Sequence, residues 1–440
     1  MTFVPPDQPP FALRARILTP LAAGGTLHLR DGLLVVGAGG AIASVGPWDP
    51  AIVAGPDAPP IVDLRPNVIL PGLVDLHVHL PQVPNAGLGA GMNVLAWLER
   101  YIFPLEEAFD AGTARRQMPA ILAAFARAGT TTVLGYGAIW QPSMDAAFEA
   151  AEAHGIRAVF GKVMMDRQTY DRSIDPATIL DVSLRQSAEL IERWHGRDGG
   201  RLRYAVTPRF AVSCSAELLH ESAALARATG AYWQTHLAED YRELVAVSEL
   251  FPDARDYLDV YERAGALGPR TIFAHAIHLS DREIARLAES GSRIAHCPES
   301  NQFLASGRMH LARYLDEGIV VGLGSDVAGG PDMSLFRAMR TGAYAQNALR
   351  VAGDQASVLG PLDWLRTGTY EGARALGLEE TIGSLEAGKE ADFVVVDPSL
   401  TAPLPGLEVD DPADLMSRLI FRSHPDMVRA AHVRGRRLPA

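Results

Sequence analysis

Cysteine and clustered positive charge are both scarce in this chain of 440 residues, and each absence excludes a class of protein. The only two cysteines are Cys214 and Cys297, too few for a secreted disulfide framework or for a zinc site built from thiolates. Acidic residues outnumber basic ones by 52 to 40, and the formal net charge is -12. Because binding to phosphates requires clustered Lys and Arg, nucleic acid is not expected as a partner.

Long apolar runs are also missing. The N-terminal segment MTFVPPDQPPFALRARI has no basic stretch followed by an apolar one, so we predict no signal peptide. No uninterrupted apolar stretch approaches the length of a membrane span. We therefore expect a soluble, cytoplasmic protein that has no membrane partner.

Both ends of the chain consist of short strand-like segments separated by Gly- and Pro-rich turns. At the N-terminus these are FALRARILTP, TLHLRDGLLVVGAGG and AIASVGPW; near the C-terminus they are ADFVVVD and MVRAAHVRGRRL. We predict that the two ends pair into one small β-sandwich domain, formed by residues 1–69 and 385–440. Residues 70–384 would then form the main body.

That body alternates apolar strand-like segments with Ala-, Leu-, Glu- and Arg-rich helical ones. The eight candidate strands are VILPGLVDLHVH, TTTVLGYG, IRAVFGKVMMD, LRYAVTPRF, AYWQTHLAE, TIFAHAIHL, SRIAHCPES and IVVGLGSDV. Eight β/α alternations with strands that are apolar nearly throughout predict an α/β fold, a (β/α)₈ TIM-like barrel. An open doubly wound sheet is the alternative, but no Gly-rich phosphate fingerprint follows the first strand.

Residues able to bind metal or move protons concentrate at the ends of these strands, where catalytic groups of such barrels lie. They are His77 and His79 on the first strand, Arg209 on the fourth, His236 with Glu239 on the fifth, His275 on the sixth and Asp326 on the eighth. Any one histidine alone would as readily be a structural, hydrogen-bonded residue. Their concentration at strand ends favours a common site.

Three imidazoles and one carboxylate suit Zn²⁺ with one position left open for water. A two-metal barrel hydrolase commonly needs a bridging carboxylate, often a carboxylated Lys at the end of the fourth strand. That position carries no Lys in Val206–Arg209, so the pattern favours a single metal ion. Such an ion lowers the pKa of a water to about 7.

The remaining strand-end groups would handle protons. Asp326 can orient the water or accept its proton. Glu239 lies three residues beyond His236, so we expect it in the loop after the strand, bent over the pocket as a proton shuttle; a solvated loop carboxylate is the alternative. His275 fits either as a further metal ligand or as a hydrogen-bond partner of the water.

Nine segments along the chain carry a family resemblance: PGLVDLHVHLPQ, WLERYIFPLE, GKVMMD, TPRFAVSCS, QTHLAE, AHAIHLSDRE, IAHCPESNQFLASG, GLGSDVAGG and GSLEAGKEADFVVVD. They resemble segments of the amidohydrolase superfamily and, within it, of the guanine deaminases. The resemblance implies a purine-catabolic enzyme that hydrolyses guanine to xanthine and ammonia on one zinc ion, or on iron, in a homodimer.

Carried over residue by residue, the resemblance implies three groups of site residues. The metal-site residues are His77, His79, His236 and Asp326, with His275 beside them. Glu239 carries protons between water, ring nitrogen and leaving amine. Gln82 and Arg209 contact the purine edge, and Phe210 packs on the ring.

Two loop segments differ from the guanine deaminase pattern, VPNAGLGAGMNVLAWL after Gln82 and AGGPDMSLFRAMR after Asp326. A second hypothesis therefore keeps the chemistry but changes the substrate to a pterin, an oxidised purine, a triazine or another aminated heterocycle. A third is a metal-binding protein without turnover.

Overall fold

The computed structural model describes residues 5–55, 58–170, 173–353 and 358–440. Its strands are β1 Phe11–Pro20, β2 Thr26–Val36, β3 Ile42–Pro47, β4 Ile61–Pro71, β5 Leu73–His79, β6 Thr130–Tyr136, β7 Arg157–Gly161, β8 Val163–Met164, β9 Leu202–Pro208, β10 Tyr232–Leu237, β11 Thr271–His275, β12 Arg293–His296, β13 Val321–Leu323, β14 Phe393–Val396, β15 Val428–Val433 and β16 Arg436–Arg437.

The α-helices, short single turns included, follow the strands around the barrel and complete the C-terminal part. They are α1 Val94–Trp97, α2 Phe103–Glu107, α3 Ala111–Ala128, α4 Gln141–His154, α5 Ile179–Trp194, α6 Arg197–Gly200, α7 Ala216–Thr229, α8 Tyr241–Leu250, α9 Tyr257–Arg263, α10 Asp281–Ser290, α11 Pro298–Phe303, α12 Leu311–Asp316, α13 Leu335–Val351, α14 Pro361–Arg366, α15 Gly372–Ala375 and α16 Pro412–Phe421.

The predicted (β/α)₈ barrel is confirmed. Eight parallel strands follow the order β5-β6-β7-β9-β10-β11-β12-β13, and β8 extends the β7 side by pairing with β9. The ring closes beyond the last strand, where the backbone N–H of Asp326 donates to the carbonyl of His77 and that of His79 donates to the carbonyl of Val327. Because all eight strands are parallel, their carboxyl ends meet at one rim.

The predicted small β-domain is also confirmed. Seven strands from the two ends form one sheet in the order β16-β15-β14-β4-β1-β2-β3, antiparallel except between β1 and β4. Its apolar core includes Phe11, Leu34 and Phe393. The boundaries of the domains, 69/70 and 384/385, stay predictions.

The stretch Val68–His79 was predicted as a single barrel strand, and this is wrong. The structure divides it at Gly72. Strand β4 belongs to the seven-stranded sheet formed by the two chain ends, the terminal sheet, and β5 begins in the barrel. A Cβ at Gly72 would lie 2.0 Å from the Thr131 hydroxyl oxygen, so the close approach at this crossing requires glycine.

Among the described residues, no helix has the length and apolar character needed to cross a bilayer. Cys214 and Cys297 are both buried free thiols, and burial raises the pKa of Cys214 to about 12. Lys162 is buried and donates from Nζ to the Ser183 hydroxyl at 3.0 Å.

A buried ion pair joins the barrel to the terminal sheet. Arg157, at the start of β7, donates from Nε and Nη2 to Asp392 Oδ2 at 3.1 and 3.0 Å and also pairs with Glu390. Asp392 Oδ1 accepts from the backbone N–H of Arg434 at 2.9 Å. Arg157 and Asp392 are almost completely buried. The negative charge of the Asp392 carboxylate is therefore balanced by the Arg157 guanidinium.

We expect Arg157→Met to lower the free energy of unfolding by about 3–5 kcal/mol, because it leaves a buried carboxylate without its partner. Urea titration followed by circular dichroism measures this change. The matched control is Arg197→Met, whose pair with Glu152 is largely exposed and which should cost at most about 1 kcal/mol. Equal effects of the two substitutions would contradict the structural role assigned to Arg157.

Candidate active site

The strand-end histidines and aspartate converge at the carboxyl rim of the barrel. His77 and His79 are on the same face at the end of β5, His236 is the fifth residue of β10, and His275 is the last residue of β11. Asp326 follows β13 by three residues. All five side chains are buried, although His77 and Asp326 are 249 positions apart in the chain.

The possible ligand atoms of these residues lie close together. His79 Nε2 is 3.2 Å from His236 Nε2, and Asp326 Oδ1 is 3.3 Å from His77 Nε2 and 3.5 Å from His79 Nε2. His275 Nε2 is 3.7 Å from Asp326 Oδ2. Two overlapping groups, His77/His79/His236 and His77/His275/Asp326, keep their ligand atoms within 4.8 Å of one another. The predicted metal-site residues therefore form one cluster.

Hydrogen bonds behind the rings turn the Nε2 atoms inward. His236 Nδ1 donates to the backbone carbonyl of Arg209 at 2.7 Å, and His275 Nδ1 donates to Asn301 Oδ1 at 2.9 Å. Each imidazole then keeps its Nε2 lone pair free, as histidine ligands of metals do. The Nε2 atoms of His77 and His275 are buried without a hydrogen-bond partner. Lone pairs that face one another in a buried space fit a cation between them.

Burial sets the charge states that a metal requires. It lowers the pKa of His77 and, far more, those of His79 and His236, and so favours the neutral form of these rings. Burial alone would raise the pKa of Asp326, but the adjacent His77 and His275 rings outweigh it and lower that pKa. Neutral imidazoles with an ionised carboxylate are a donor set suited to zinc, and the residues present fit such an ion.

Two of these residues have a strained backbone. His275 has φ +67° and Asp326 has φ +49°, left-handed values that cost a non-glycine residue about 1–3 kcal/mol. The Asp326 conformation is held by the bond from its N–H to the His77 carbonyl, at 2.7 Å. Gly329 is required beside it, since a Cβ there would lie 2.7 Å from Asp326 Oδ2. This backbone conformation turns the side chains of His275 and Asp326 toward the cluster.

Glu239 lies beside this cluster, two residues after β10, and its carboxylate is buried. Oε2 is 3.5 Å from His275 Nε2, and Oε1 accepts from the Ser306 hydroxyl at 3.2 Å. The Glu239 N–H donates to Glu243 Oε2 at 2.8 Å. Burial, followed by repulsion from Asp326 and Glu243, raises the pKa of Glu239 well above its usual value. A solvated loop carboxylate is therefore excluded, and Glu239 is suited to holding a proton.

A pocket opens over the cluster. Its polar and ionisable lining consists of His79, Gln82, Arg209, His236, Glu239, Glu243 and Asp326, and its apolar lining of Val94, Trp97, Leu98, Phe210 and Leu304. The residues predicted to bind substrate thus share one cavity with His79, His236 and Asp326 of the metal cluster. Val94, Trp97 and Leu98 belong to the loop segment after Gln82 that differs from the guanine deaminase pattern, so that difference reaches the pocket wall.

Sequence reasoning missed several residues that hold this site together. Asn301 orients His275, Ser306 contacts Glu239, and Glu106 binds both Gln82 and Arg209. Glu106 lies in FPLEE, where two adjacent glutamates resemble the solvated face of a helix. Its position after an aromatic residue and a proline on a short helix gives no local sign of burial.

The fold and the site together define a barrel hydrolase with a His/Asp metal site. The amidohydrolase family profile matches residues 68–437. The chain belongs to the amidohydrolase family.

Several individual proteins that the chain resembles are named deaminases. The guanine deaminase of Escherichia coli (strain K12) is 38% identical over 399 residues, which cover 90% of this chain and 88% of that protein. The crystal structure of guanine deaminase from C. acetobutylicum with guanine bound in its active site superposes with a TM-score of 0.89, 29% identity and coverage of 97% and 99%. An adenosine deaminase from Xanthomonas campestris with bound zinc gives a TM-score of 0.83, 28% identity and coverage of 98% and 93%. The prediction of a hydrolytic deaminase is confirmed.

We expect the purified protein to carry close to one equivalent of metal, and His236→Ala to lose most of it, because a ring that faces His79 at 3.2 Å is removed. Elemental analysis after gel filtration measures the metal and distinguishes zinc from iron. The matched control is His220→Ala, an exposed histidine on α7, which should keep the metal. Full metal content in His236→Ala would show that this ring is not a ligand.

Proposed function

We propose that this enzyme hydrolyses guanine to xanthine and ammonia, using one zinc ion, with iron as the alternative metal. One observation carries the proposal. A single pocket combines His79, His236 and Asp326 of the His/Asp cluster, the carboxylate of Glu239, and the two side chains Gln82 and Arg209. The guanine deaminase relatives support guanine as the substrate.

The residues that would hold the ion are His77, His79, His236 and Asp326, with His275 beside them. A bound zinc ion would supply an activated water at neutral pH. The donor set and the zinc-containing adenosine deaminase support this choice of metal. A homodimer, a cytoplasmic location and a role in purine catabolism stay predictions.

The reaction adds a water oxygen to C2 of guanine and breaks the bond from C2 to the exocyclic amine. Asp326 and His275 orient the attacking water and accept its hydrogen bonds. Glu239 takes a proton from that water and delivers it to the ring nitrogen next to C2, and then moves the second proton to the leaving amine, which departs as ammonia. The raised pKa of Glu239 suits a group that must both accept and donate protons near neutral pH.

The rest of the pocket binds and orients the base. Phe210 and the apolar wall of Val94, Trp97 and Leu98 pack on the purine. Gln82 and Arg209 form hydrogen bonds with the polar edge of the purine. A substrate that leaves these buried polar groups without a partner binds more weakly, so the two residues select for the correct base.

We expect the metal-loaded enzyme to release ammonia from guanine and to form xanthine, since the pocket combines water activation with recognition of a purine edge. A coupled ammonia assay over guanine, adenine, a pterin, 8-oxoguanine and an aminotriazine measures this, with xanthine identified by chromatography. Ammonia from another member of the panel alone would favour the same chemistry on that heterocycle. No turnover from any of them by metal-loaded protein would indicate a non-catalytic metal-binding protein.

We expect Glu239→Gln to keep the metal and to lose about 10²–10⁴-fold in kcat, because an amide cannot transfer these protons. The matched control is Glu249→Gln, an exposed glutamate on α8, which should keep wild-type kcat. Steady-state kinetics on guanine and elemental analysis of both variants provide the measurement. A Glu239→Gln enzyme with wild-type kcat would refute the proton-shuttle role.

A further inference from the structure

Three buried side chains converge on the carboxylate of Glu106. Gln82 Nε2 donates to Glu106 Oε1 at 2.8 Å, the Tyr170 hydroxyl donates to Oε2 at 2.9 Å, and Arg209 forms an ion pair with Oε2. Glu106 has no exposed surface, and Arg209 is only 2% exposed. None of the roles assigned above to water activation or proton transfer involves this carboxylate.

Glu106 holds Arg209 together with an aromatic neighbour. Glu106 is on α2, and Phe103 at the start of that helix places its ring centroid 5.4 Å from Arg209 Cζ. Burial alone would lower the pKa of Arg209, but the adjacent Glu106 carboxylate outweighs it and raises that pKa. The guanidinium is therefore a permanent donor, held from two sides by one short helix.

Burying such an ion pair contributes little net stability, because the cost of desolvating two charges offsets their attraction. Its effect here is geometric. The Arg209 backbone carbonyl accepts from His236 Nδ1, while its side chain reaches Glu106. Arg209 therefore links the metal cluster to the side chains that line the substrate pocket.

The same carboxylate determines which end of the Gln82 amide faces the pocket. A carboxylate accepts hydrogen bonds and does not donate them, so it selects the NH₂ end of the amide. The Oε1 end is left buried without a hydrogen-bond partner, on a residue that lines the pocket. Without Glu106 nothing in this contact would distinguish the two ends, which have nearly the same shape.

We propose that Glu106 is a positioning residue that determines substrate specificity, by fixing Gln82 as a hydrogen-bond acceptor beside Arg209 as a donor. The inference rests on the proposed function, since it concerns the base that this pocket recognises. An acceptor beside a donor complements the N1–H and C6=O groups of guanine, with Arg209 donating to the carbonyl oxygen and Gln82 accepting from N1–H. Purines with a 6-amino group and an unprotonated N1 present the inverse pattern.

The test compares guanine with 2,6-diaminopurine, which keeps the reacting 2-amino group and inverts the N1/C6 edge. The substitution Glu106→Gln replaces the carboxylate with an amide that can accept or donate, so both orientations of Gln82 become available. We expect kcat/KM for guanine to fall about 10- to 100-fold, the size of one charge-assisted hydrogen bond, mainly through KM. The preference for guanine over 2,6-diaminopurine should fall at least about tenfold.

Two further variants support this test. Glu107→Gln, an exposed neighbour on the same helix, is the matched control and should keep wild-type kinetics. Glu106→Asp keeps the charge with a shorter reach and should retain more of the preference for guanine than Glu106→Gln. It also provides the measurement if Glu106→Gln fails to fold. Where 2,6-diaminopurine is not turned over, its inhibition constant against guanine replaces kcat/KM in the ratio.

The outcomes separate this inference from the proposed function. Wild-type enzyme that forms no xanthine from guanine would overturn both. Wild-type turnover together with an unchanged preference in a folded, metal-loaded Glu106→Gln variant would overturn the inference alone, because a purely structural role lowers kcat/KM for both substrates equally. Where Glu106→Gln does not fold, an equal loss of kcat/KM for both substrates in Glu106→Asp would overturn it. A smaller preference for guanine over 2,6-diaminopurine in Glu106→Gln, partly restored in Glu106→Asp, supports the positioning role.

Discussion

The closure of the barrel between its first and last strands is the constraint on which the site depends. The bond from the Asp326 N–H to the His77 carbonyl completes the ring and, in the same contact, places the only carboxylate of the metal cluster 3.3 Å from the His77 ring. A left-handed backbone at Asp326 would be unfavourable in an open chain. Closure of the ring compensates for it, so the stability of the fold maintains the geometry of the site.

Exclusion of water then determines the chemistry at this rim. The same burial lowers the pKa values of His79 and His236, which favours the neutral imidazoles that bind metals, and it raises the pKa of Glu239, so that Glu239 can hold a proton. Asp326 stays ionised because His77 and His275 surround it. Desolvation disfavours the charged form of every group, so it lowers the pKa of a histidine and raises that of a carboxyl, and neighbouring charges then add to this effect or oppose it.

Recognition and chemistry are joined through Arg209. Its carbonyl orients the His236 ring, its side chain pairs with Glu106, and Glu106 in turn orients Gln82. Arg209 therefore connects a histidine of the metal cluster with the side chains that line the substrate pocket. The loop after Gln82 contributes only apolar residues to the pocket, so its departure from the guanine deaminase pattern alters packing on the base and leaves this hydrogen-bonding chain intact.

Much of the fold and most of the site could be predicted from local patterns. Alternating apolar and amphipathic segments encode β/α units, and strands that are all parallel must bring their carboxyl ends together. That is why His77, His236, His275 and Asp326 could be grouped before any contact was known. The extent of the first barrel strand could not be predicted, because the apolar pattern continues through Gly72 although its two halves belong to different sheets.

The sequence by itself determined the architecture, the family and the residue types available at the rim, because periodicity and residue order express these directly. Only the tertiary structure decided which way each ring and amide points. Glu106 lies 24 residues from Gln82 and 103 from Arg209, and Asn301 lies 26 from His275. Such pairs form when folding removes water from both partners at once, and no local pattern records that a particular glutamate will be the one enclosed.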